Sequence, residues 1–260
     1  MKRNISVLLR NIFFIVGIFI LFIGCHQSAK KHGNGGENST GAYTNYKAGT
    51  IVLKDGTFVL QEKYTSINNS NPPIAILIGS KNSQGKNLAI GLHNKNLAWA
   101  NSSSSGGGYN TKFEKIICTP SESGIGAADK ATFTGDTDGS DNWSEICKAD
   151  TNAATNAENY PAFKWINEYR TKTGAHNWYL PSIAELCKIY KNREIINTSL
   201  KKIYGLDNAA ADNGLGTSWY WSSSQTHDAI SSAWHLNFSN GEIRKDGKSN
   251  QHNVCCIAAF

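Results

Sequence analysis

The segment SAWHLNF, residues 232–238, constrains the fold most, because its apolar and polar residues alternate without interruption. In a β-strand, Trp234, Leu236 and Phe238 would share one face. The other face would carry Ala233, His235, Asn237 and Ser239. Asn240-Gly241 follows, and this dipeptide is typical of a tight hairpin turn. The pattern predicts an antiparallel strand with one face on a hydrophobic core and the other pointing away from it.

Two segments have the pattern of amphipathic helices. Residues 159–174 place Pro161 near the start, where proline is well tolerated. Residues 180–192 place Ser182 and Glu185 at the spacing of a capping box, in which each side chain bonds the backbone of the other residue. We therefore predict one helix in each segment.

The remaining apolar segments predict short strands. Residues 49–64 alternate and turn at Asp55-Gly56, as a hairpin does. The segments 72–80, 86–100, 218–224 and 254–260 also have the composition of strands. Residues 118–150 are irregular and rich in Gly, Ser and Asp, and after residue 192 we expect only strands and loops. The predicted fold class is α+β, in which two helices cover short antiparallel strands.

The first 25 residues have the pattern of a bacterial lipoprotein signal. A basic start precedes an apolar run over residues 12–23, which is too short to span a bilayer as a helix. The stretch LFIGC then resembles a lipobox, in which the cysteine, here Cys25, is acylated. An uncleaved anchor helix with a chance cysteine is the alternative.

These features divide the chain into three parts. We expect residues 1–24 to be a lipoprotein signal peptide, residues 25–46 a flexible polar tether and residues 47–260 a single domain. Acylation of Cys25 would anchor the domain to the outer membrane at the bacterial cell surface. Without the three basic residues of the signal peptide the formal net charge falls from +6 to +3. That charge is mild and the basic residues do not cluster among aromatic ones, so nucleic acid is not an expected partner.

Five cysteines follow Cys25, and their odd number leaves at least one without an intramolecular partner. Because neighbouring residues on a strand point to opposite faces, at most one of Cys255 and Cys256 should face the core. We favour buried thiols over disulfides, since the spacing matches no disulfide framework. The sequence has no Cys-x2-Cys pair and its histidines are scattered, so neither a metal site nor a cofactor is expected.

The motifs WYLPSIAELCKIYKN, YWSSS, AWHLNFSNG and VCCIAAF, in this order, resemble a bacterial domain family with a C-type lectin-like fold of the formylglycine-generating-enzyme subtype. Within it, the chain looks like the variable proteins of diversity-generating retroelements, of the Treponema variable protein type. Those proteins are surface lipoproteins in which adenines near the end of the gene are replaced. The resemblance implies a variable region over about residues 221–260, held by a constant framework. The implied framework residues are Trp221, Trp234, Phe238, Gly241, Val254 and Cys256.

The resemblance also implies that the positions between the framework residues display the ligand-binding surface. These positions are Thr226, His227, Asp228, Ala229, Ile230, Ser231, His235, Asn237, Ser239, Glu242, Arg244, Asp246, Ser249, Asn250 and His252. Mixed donors, acceptors, charges and one aliphatic group on a rigid scaffold suit protein recognition. An ordinary solvated face is the alternative. We expect the ligand to be a protein on a host or bacterial surface, because no apolar pocket for a small molecule is evident.

Three other functions remain open at this point. Enzymes of the formylglycine-generating type bind copper through two cysteines a few residues apart, whereas Cys255 and Cys256 are adjacent, so we do not expect an enzyme. The acidic segment 136–145 could bind calcium, although the motifs of sugar-binding C-type lectins are absent and an acidic turn is favoured. The third alternative is a surface lipoprotein or adhesin of fixed specificity, without diversification.

Overall fold

A computed structural model describes residues 46–102, 108–174 and 177–260. These belong to a unit that spans Thr44–Phe260. The expected signal peptide 1–24, the lipidation site Cys25 and all of the expected tether except residue 46 lie outside the described residues. In the described ranges, no helix combines the length and the apolar character needed to cross a bilayer.

The strands are short, as the sequence predicts. In chain order they are β1 (Ile51–Leu53), β2 (Phe58–Val59), β3 (Pro73–Lys81), β4 (Asn87–Gly91), β5 (Lys95–Ala98), β6 (Cys118–Pro120), β7 (Phe133–Gly135), β8 (Trp219–Gln225), β9 (Ser232–Asn237), β10 (Glu242–Gly247), β11 (Gln251–Val254) and β12 (Ile257–Ala259). The hairpin predicted at Asp55-Gly56 is confirmed, since β1 and β2 pair antiparallel on either side of it.

Two five-stranded sheets organise these strands. The first sheet has the order β12-β4-β3-β1-β2 and the second has the order β10-β9-β8-β11-β5, while β6 and β7 form a separate pair. All paired strands are antiparallel except β8 and β11. The predicted strands in residues 86–100 both exist, but β4 and β5 lie in different sheets.

Five helices accompany the strands: α1 (Ala127–Lys130), α2 (Asn142–Ala149), α3 (Pro161–Thr173), α4 (Ile183–Lys191) and α5 (Arg193–Leu206). Short 3-10 turns occur at Gln61–Lys63, Gly108–Asn110, Glu114–Ile116, Gly139–Asp141 and Ala157–Asn159. The two predicted helices are α3 and α4, and the capping box of Ser182 and Glu185 is present.

The expectation of only two helices is wrong. Helix α5 directly follows α4 and buries Ile196, Leu200 and Ile203, which recur at helical spacing and so share one face. Helix α2 forms inside the segment 118–150 that composition marks as irregular, with Ile146 fully buried. In both helices, burial of a few apolar side chains against the sheets outweighs a composition that favours loops. The fold class α+β is confirmed.

The hydrophobic interior consists of two clusters on opposite faces of the sheets. The first cluster packs α4 and α5 against residues such as Ile76, Leu236 and Phe238. The second packs α2 and α3 against residues such as Leu77 and Trp221. Both faces of β3 are therefore covered, and the chain passes from one sheet to the other near its end.

The terminal segment 254–260 is not one strand, as its composition suggests, but two. Strand β11 ends at Val254 in the second sheet, and β12 begins at Ile257 in the first. The intervening Cys255 and Cys256 are both fully buried. The expectation that at most one of them faces a core is wrong, because each reaches a different cluster. The five cysteines of the described part are free thiols, as favoured.

All six residues that the resemblance assigns to the framework are buried: Trp221, Trp234, Phe238, Gly241, Val254 and Cys256. Gly241 occupies the left-handed region at φ +68°, and a Cβ there would lie 2.9 Å from the ring of Tyr190. Glycine at this turn therefore satisfies both the backbone conformation and the packing.

Candidate functional site

The second sheet presents one face to the surface close to its edge strand β10, and this face begins with an aromatic and histidine cluster. Trp219 stacks on His235 with ring centroids 4.2 Å apart and planes at 19°. His252, on β11, lies 4.5 Å from His235 and 4.7 Å from Trp221, measured between ring centroids. These four rings cover the middle of the sheet and support the polar groups around them.

Asp246 closes one side of this cluster. Its Oδ2 atom lies 2.8 Å from Nε2 of His252, and its Oδ1 atom accepts hydrogen bonds from the side chain of Asn250 and the backbone of Gly247. Although burial alone would raise the pKa of Asp246, these hydrogen bonds lower it. Burial lowers the pKa of His235 to about 3, with a further contribution from the nearby His252. Asp246 is therefore a carboxylate and His235 a neutral imidazole near neutral pH.

Arg244 and Glu242 form the charged rim of the same face. The Nη2 atom of Arg244 lies 2.6 Å from Oε1 of Glu242, and the guanidinium lies 5.9 Å from the ring centre of Trp219. The Arg244 side chain is largely exposed, whereas the side chain of Glu242 is only 8% exposed. The arginine therefore combines a structural contact with an exposed charge.

The loop between β8 and β9, residues 226–231, is held from below by Gln225. The buried amide of Gln225 accepts from the backbone N–H of Phe113 and donates to the carbonyl oxygens of Thr111 and Ile230. Thr226 donates its hydroxyl to the carbonyl oxygen of Ala229. A rigid base thus carries the exposed residues of the loop.

Lys248 anchors the turn between β10 and β11. Its side chain is fully buried, and its Nζ atom donates to the carbonyl oxygens of Gly108 and Thr111 at 2.7 and 3.3 Å. The same atom lies 4.7 Å from the ring centre of Trp99 and 4.9 Å from that of Phe113. Burial lowers the pKa of Lys248 to about 7. Sequence analysis missed this role, because a lysine in a polar segment indicates solvent.

One end of the sheet collects most of the expected display positions. The backbone N–H of Lys248 donates to the carbonyl oxygen of Ser231, which joins the loop after β8 to the turn after β10. Asp228 and Lys245 form an ion pair beside this junction. We call the exposed and half-buried residues here the loop-end surface: His227, Asp228, Ala229, Ile230, Ser231, Arg244, Asp246, Ser249, Asn250 and His252.

Five expected display positions lie elsewhere or are hidden. Thr226, His235 and Glu242 are buried, which corrects the expectation that they are displayed. Alternation correctly placed His235 on the face opposite Trp234, but Trp219 and Trp221 cover this part of the face. Asn237 and Ser239 lie at the opposite end of β9, about 20 Å away at the rise of a six-residue strand.

The expectation of scattered histidines is also wrong in three dimensions. His235, Asp246 and His252 bring one potential ligand atom each within 4.8 Å of the others. Sequence spacing could not reveal this group, because β8 and β11 pair in parallel and bring His252 beside a strand pair that it does not follow directly.

The acidic segment 136–145 uses its carboxylates in local turns. Asp136 accepts from the backbone N–H of Asp138, and Asp138 accepts from that of Ser140 and caps the following 3-10 turn. Burial raises the pKa of Asp136 to about 6. The favoured interpretation as an acidic turn describes these contacts.

A polar cleft of about 500 Å³ lies away from the loop-end surface. It is lined by Asn82, Lys86, Asp138, Arg170 and Tyr179, among others. Sequence analysis did not identify it, because its residues come from five separate segments of the chain.

Comparisons with known proteins place this geometry in context. The family model of the Lcl C-terminal domain matches residues 93–258, which include the loop-end surface and most of its framework. No curated protein matches the chain significantly. A crystal structure of a fimbrial protein from Bacteroides ovatus ATCC 8483 is similar, with a TM-score of 0.57 and 14% identity. The likeness covers 83% of this chain and 49% of the fimbrial chain, so it spans about half of that protein and shows the fold alone.

Proposed function

Because the chain belongs to the Lcl C-terminal domain family, we propose that it is a surface-displayed lipoprotein that binds a protein ligand through the loop-end surface. In this proposal the scaffold is a C-type lectin-like domain of the Treponema variable protein type, and retroelement-driven replacement of adenines diversifies the displayed positions. Cys25 carries the lipid anchor in the outer membrane. The domain acts as a binding protein and not as an enzyme.

The separation between buried framework and exposed display carries the proposal. All six implied framework residues are buried, and ten of the fifteen implied display residues form the loop-end surface. Substitutions at exposed loop positions generally change stability little, so the sheet can hold many different surfaces.

The composition of the loop-end surface supports a protein as the ligand. The surface combines the negative charge of Asp228, the positive charge of Arg244 and the exposed aliphatic side chain of Ile230. The half-buried ring of Trp219 lies beside Arg244. Tryptophan and arginine are enriched in protein interfaces, where an apolar centre is surrounded by polar groups.

Binding can be tested with cells that display the full chain. Labelled outer-surface proteins from co-resident bacteria and from host cells serve as probes. We expect capture of a discrete protein, and we expect Ile230→Ser to abolish it. Ile195→Ser on α5 is the matched control, because Ile195 is 42% exposed and Ile230 is 43% exposed. Capture that both variants retain, or that both lose equally, would exclude the loop-end surface as the binding site.

A further inference from the structure

His235, Asp246 and His252 form a three-residue group that the proposed ligand binding does not require. They come from β9, β10 and β11, and their potential ligand atoms all lie within 4.8 Å of one another. Among the described residues this is the one group of three or more His, Cys, Asp or Glu side chains placed this closely. Three separate strands would have to position these side chains, so the grouping depends on the whole sheet.

An unpartnered atom at this group points to a missing ligand. His235 is 4% exposed, and its Nδ1 atom is buried with no hydrogen-bond partner among the described residues. A buried polar atom without a partner costs on the order of 1–3 kcal/mol, and native structures rarely leave one. The ring cannot turn freely to find a partner, because Trp219 stacks on it.

We propose that His235, Asp246 and His252 bind one divalent transition-metal ion, and that Zn²⁺ is the ion that fits them best. Two imidazoles and one carboxylate are the donors that zinc takes in sites with three protein ligands. Such sites leave a further coordination position to water or to a group of a bound molecule. Neutral imidazole and ionised carboxylate are the binding forms, and burial and hydrogen bonding favour these forms at His235 and Asp246.

Only small movements are needed to reach coordination distances. Zinc at about 2.0–2.1 Å from each donor would hold the donors roughly 3.4 Å apart. His252 and Asp246 are already 2.8 Å apart, so the main change is an approach of the His235 ring by about 1 Å. Asn250 and the backbone of Gly247 donate to the other oxygen of Asp246 and orient the carboxylate, as outer-shell groups do in metal sites.

The open coordination position would face the loop-end surface. The side chains of His252 and Asp246 are 15% and 30% exposed, whereas His235 lies beneath them. A histidine or carboxylate of a bound protein could therefore reach the ion from the surface. The metal site is independent of the ligand-binding proposal, because direct metal titration tests it without any protein ligand.

The test is calorimetric titration of Zn²⁺ into the full chain after removal of metals with a chelator. We expect one site with a micromolar or tighter Kd. Asp246→Asn and His252→Gln should each weaken binding by at least about tenfold. His93→Gln is the matched control, because His93 contacts Asp212 at 3.1 Å in a two-residue pair, and it should bind as the parent does.

A second measurement covers variants that fold poorly and binding by cysteine. Circular dichroism must show that Asp246→Asn and His252→Gln remain folded without metal. Co²⁺ in place of Zn²⁺ should give visible d–d absorption without a thiolate charge-transfer band. No binding by the parent chain, equal binding by both folded variants, or a thiolate band would each overturn the proposal.

Discussion

Cys255 and Cys256 are neighbours in the chain, yet their fully buried side chains lie in two different hydrophobic clusters. The chain leaves β11 of the second sheet before them and enters β12 of the first sheet after them. The end of the chain therefore ties both sheets together directly after the polar segment that forms the loop-end surface. This connection explains why an irregular polar segment is followed by an apolar terminus.

The buried cysteines should be unreactive until the domain unfolds. Burial raises the pKa of Cys118, Cys187 and Cys255 to about 12 in each case, and only the thiolate attacks a disulfide reagent. In a Cys25→Ala chain, we expect Ellman's reagent to modify at most the half-buried Cys147 under native conditions. In denaturant, all five thiols should react. Fewer than five would reveal a disulfide and contradict the assignment of free thiols.

Framework and display residues should differ sharply in their effect on stability. Trp234 is buried and its indole N–H donates to the carbonyl oxygen of Cys118 at 2.7 Å, so Trp234→Ala should lower the free energy of unfolding by about 3–5 kcal/mol. Asp228 forms only an exposed ion pair with Lys245, so Asp228→Ala should cost less than about 1 kcal/mol. Urea denaturation measures both. Similar losses at the two positions would refute the separation.

Arg244 should be coupled to Glu242. Arg244→Ala leaves the buried carboxylate of Glu242 without its cationic partner, so the variant should lose about 1–3 kcal/mol. This exceeds the small loss expected for an ordinary surface arginine. In the double variant Arg244→Ala, Glu242→Gln, the second substitution should cost much less than it does alone. Strict additivity in this double-mutant cycle would show that the ion pair contributes nothing.

Stability should depend on pH through Glu185. Burial raises the pKa of this carboxyl to about 7 from an ordinary value of 4.5. The folded state therefore favours the protonated form. The contribution is fully present below about pH 4.5 and is lost as the pH rises through about 7. Between these limits, the free energy of unfolding should fall by up to about 3 kcal/mol.

Glu185→Gln isolates this effect, because the pKa of Asp136 is also raised and acts in the same direction. An amide can still accept from the backbone of Gly139 and Ser182, which now donate to the carboxyl. The difference in stability between parent and variant should therefore change between pH 4.5 and 8. Parallel stability curves over this range would show that Glu185 titrates normally.

Local patterns predicted the elements that local chemistry determines. The capping box of Ser182 and Glu185, the hairpin at Asp55-Gly56 and the alternation of β9 each depend on neighbouring residues, and each is confirmed. Helix α5 also has a local signal in Ile196, Leu200 and Ile203, so its periodicity could have predicted it. Composition alone obscured α2, where burial of Ile146 comes from the tertiary fold.

The site could be predicted only as a set of positions and not as an arrangement. Alternation places His235 on the outer face, but its burial depends on Trp219 and on His252 from a strand that pairs in parallel with β8. Lys248 is polar in the sequence and fully buried in the fold, because two carbonyl oxygens receive its ammonium group. Such contacts between distant segments have no sequence spacing to reveal them.

The most direct test of the central claim is deep sequencing of the 3′ end of this gene across many cells of one population. The account predicts substitutions at adenine positions in the codons of the loop-end surface, including His227, Asp228 and Arg244. The codons of the buried Trp234 and Cys256 should remain unchanged. A 3′ end as uniform as the rest of the gene would contradict diversification and indicate a surface protein of fixed specificity.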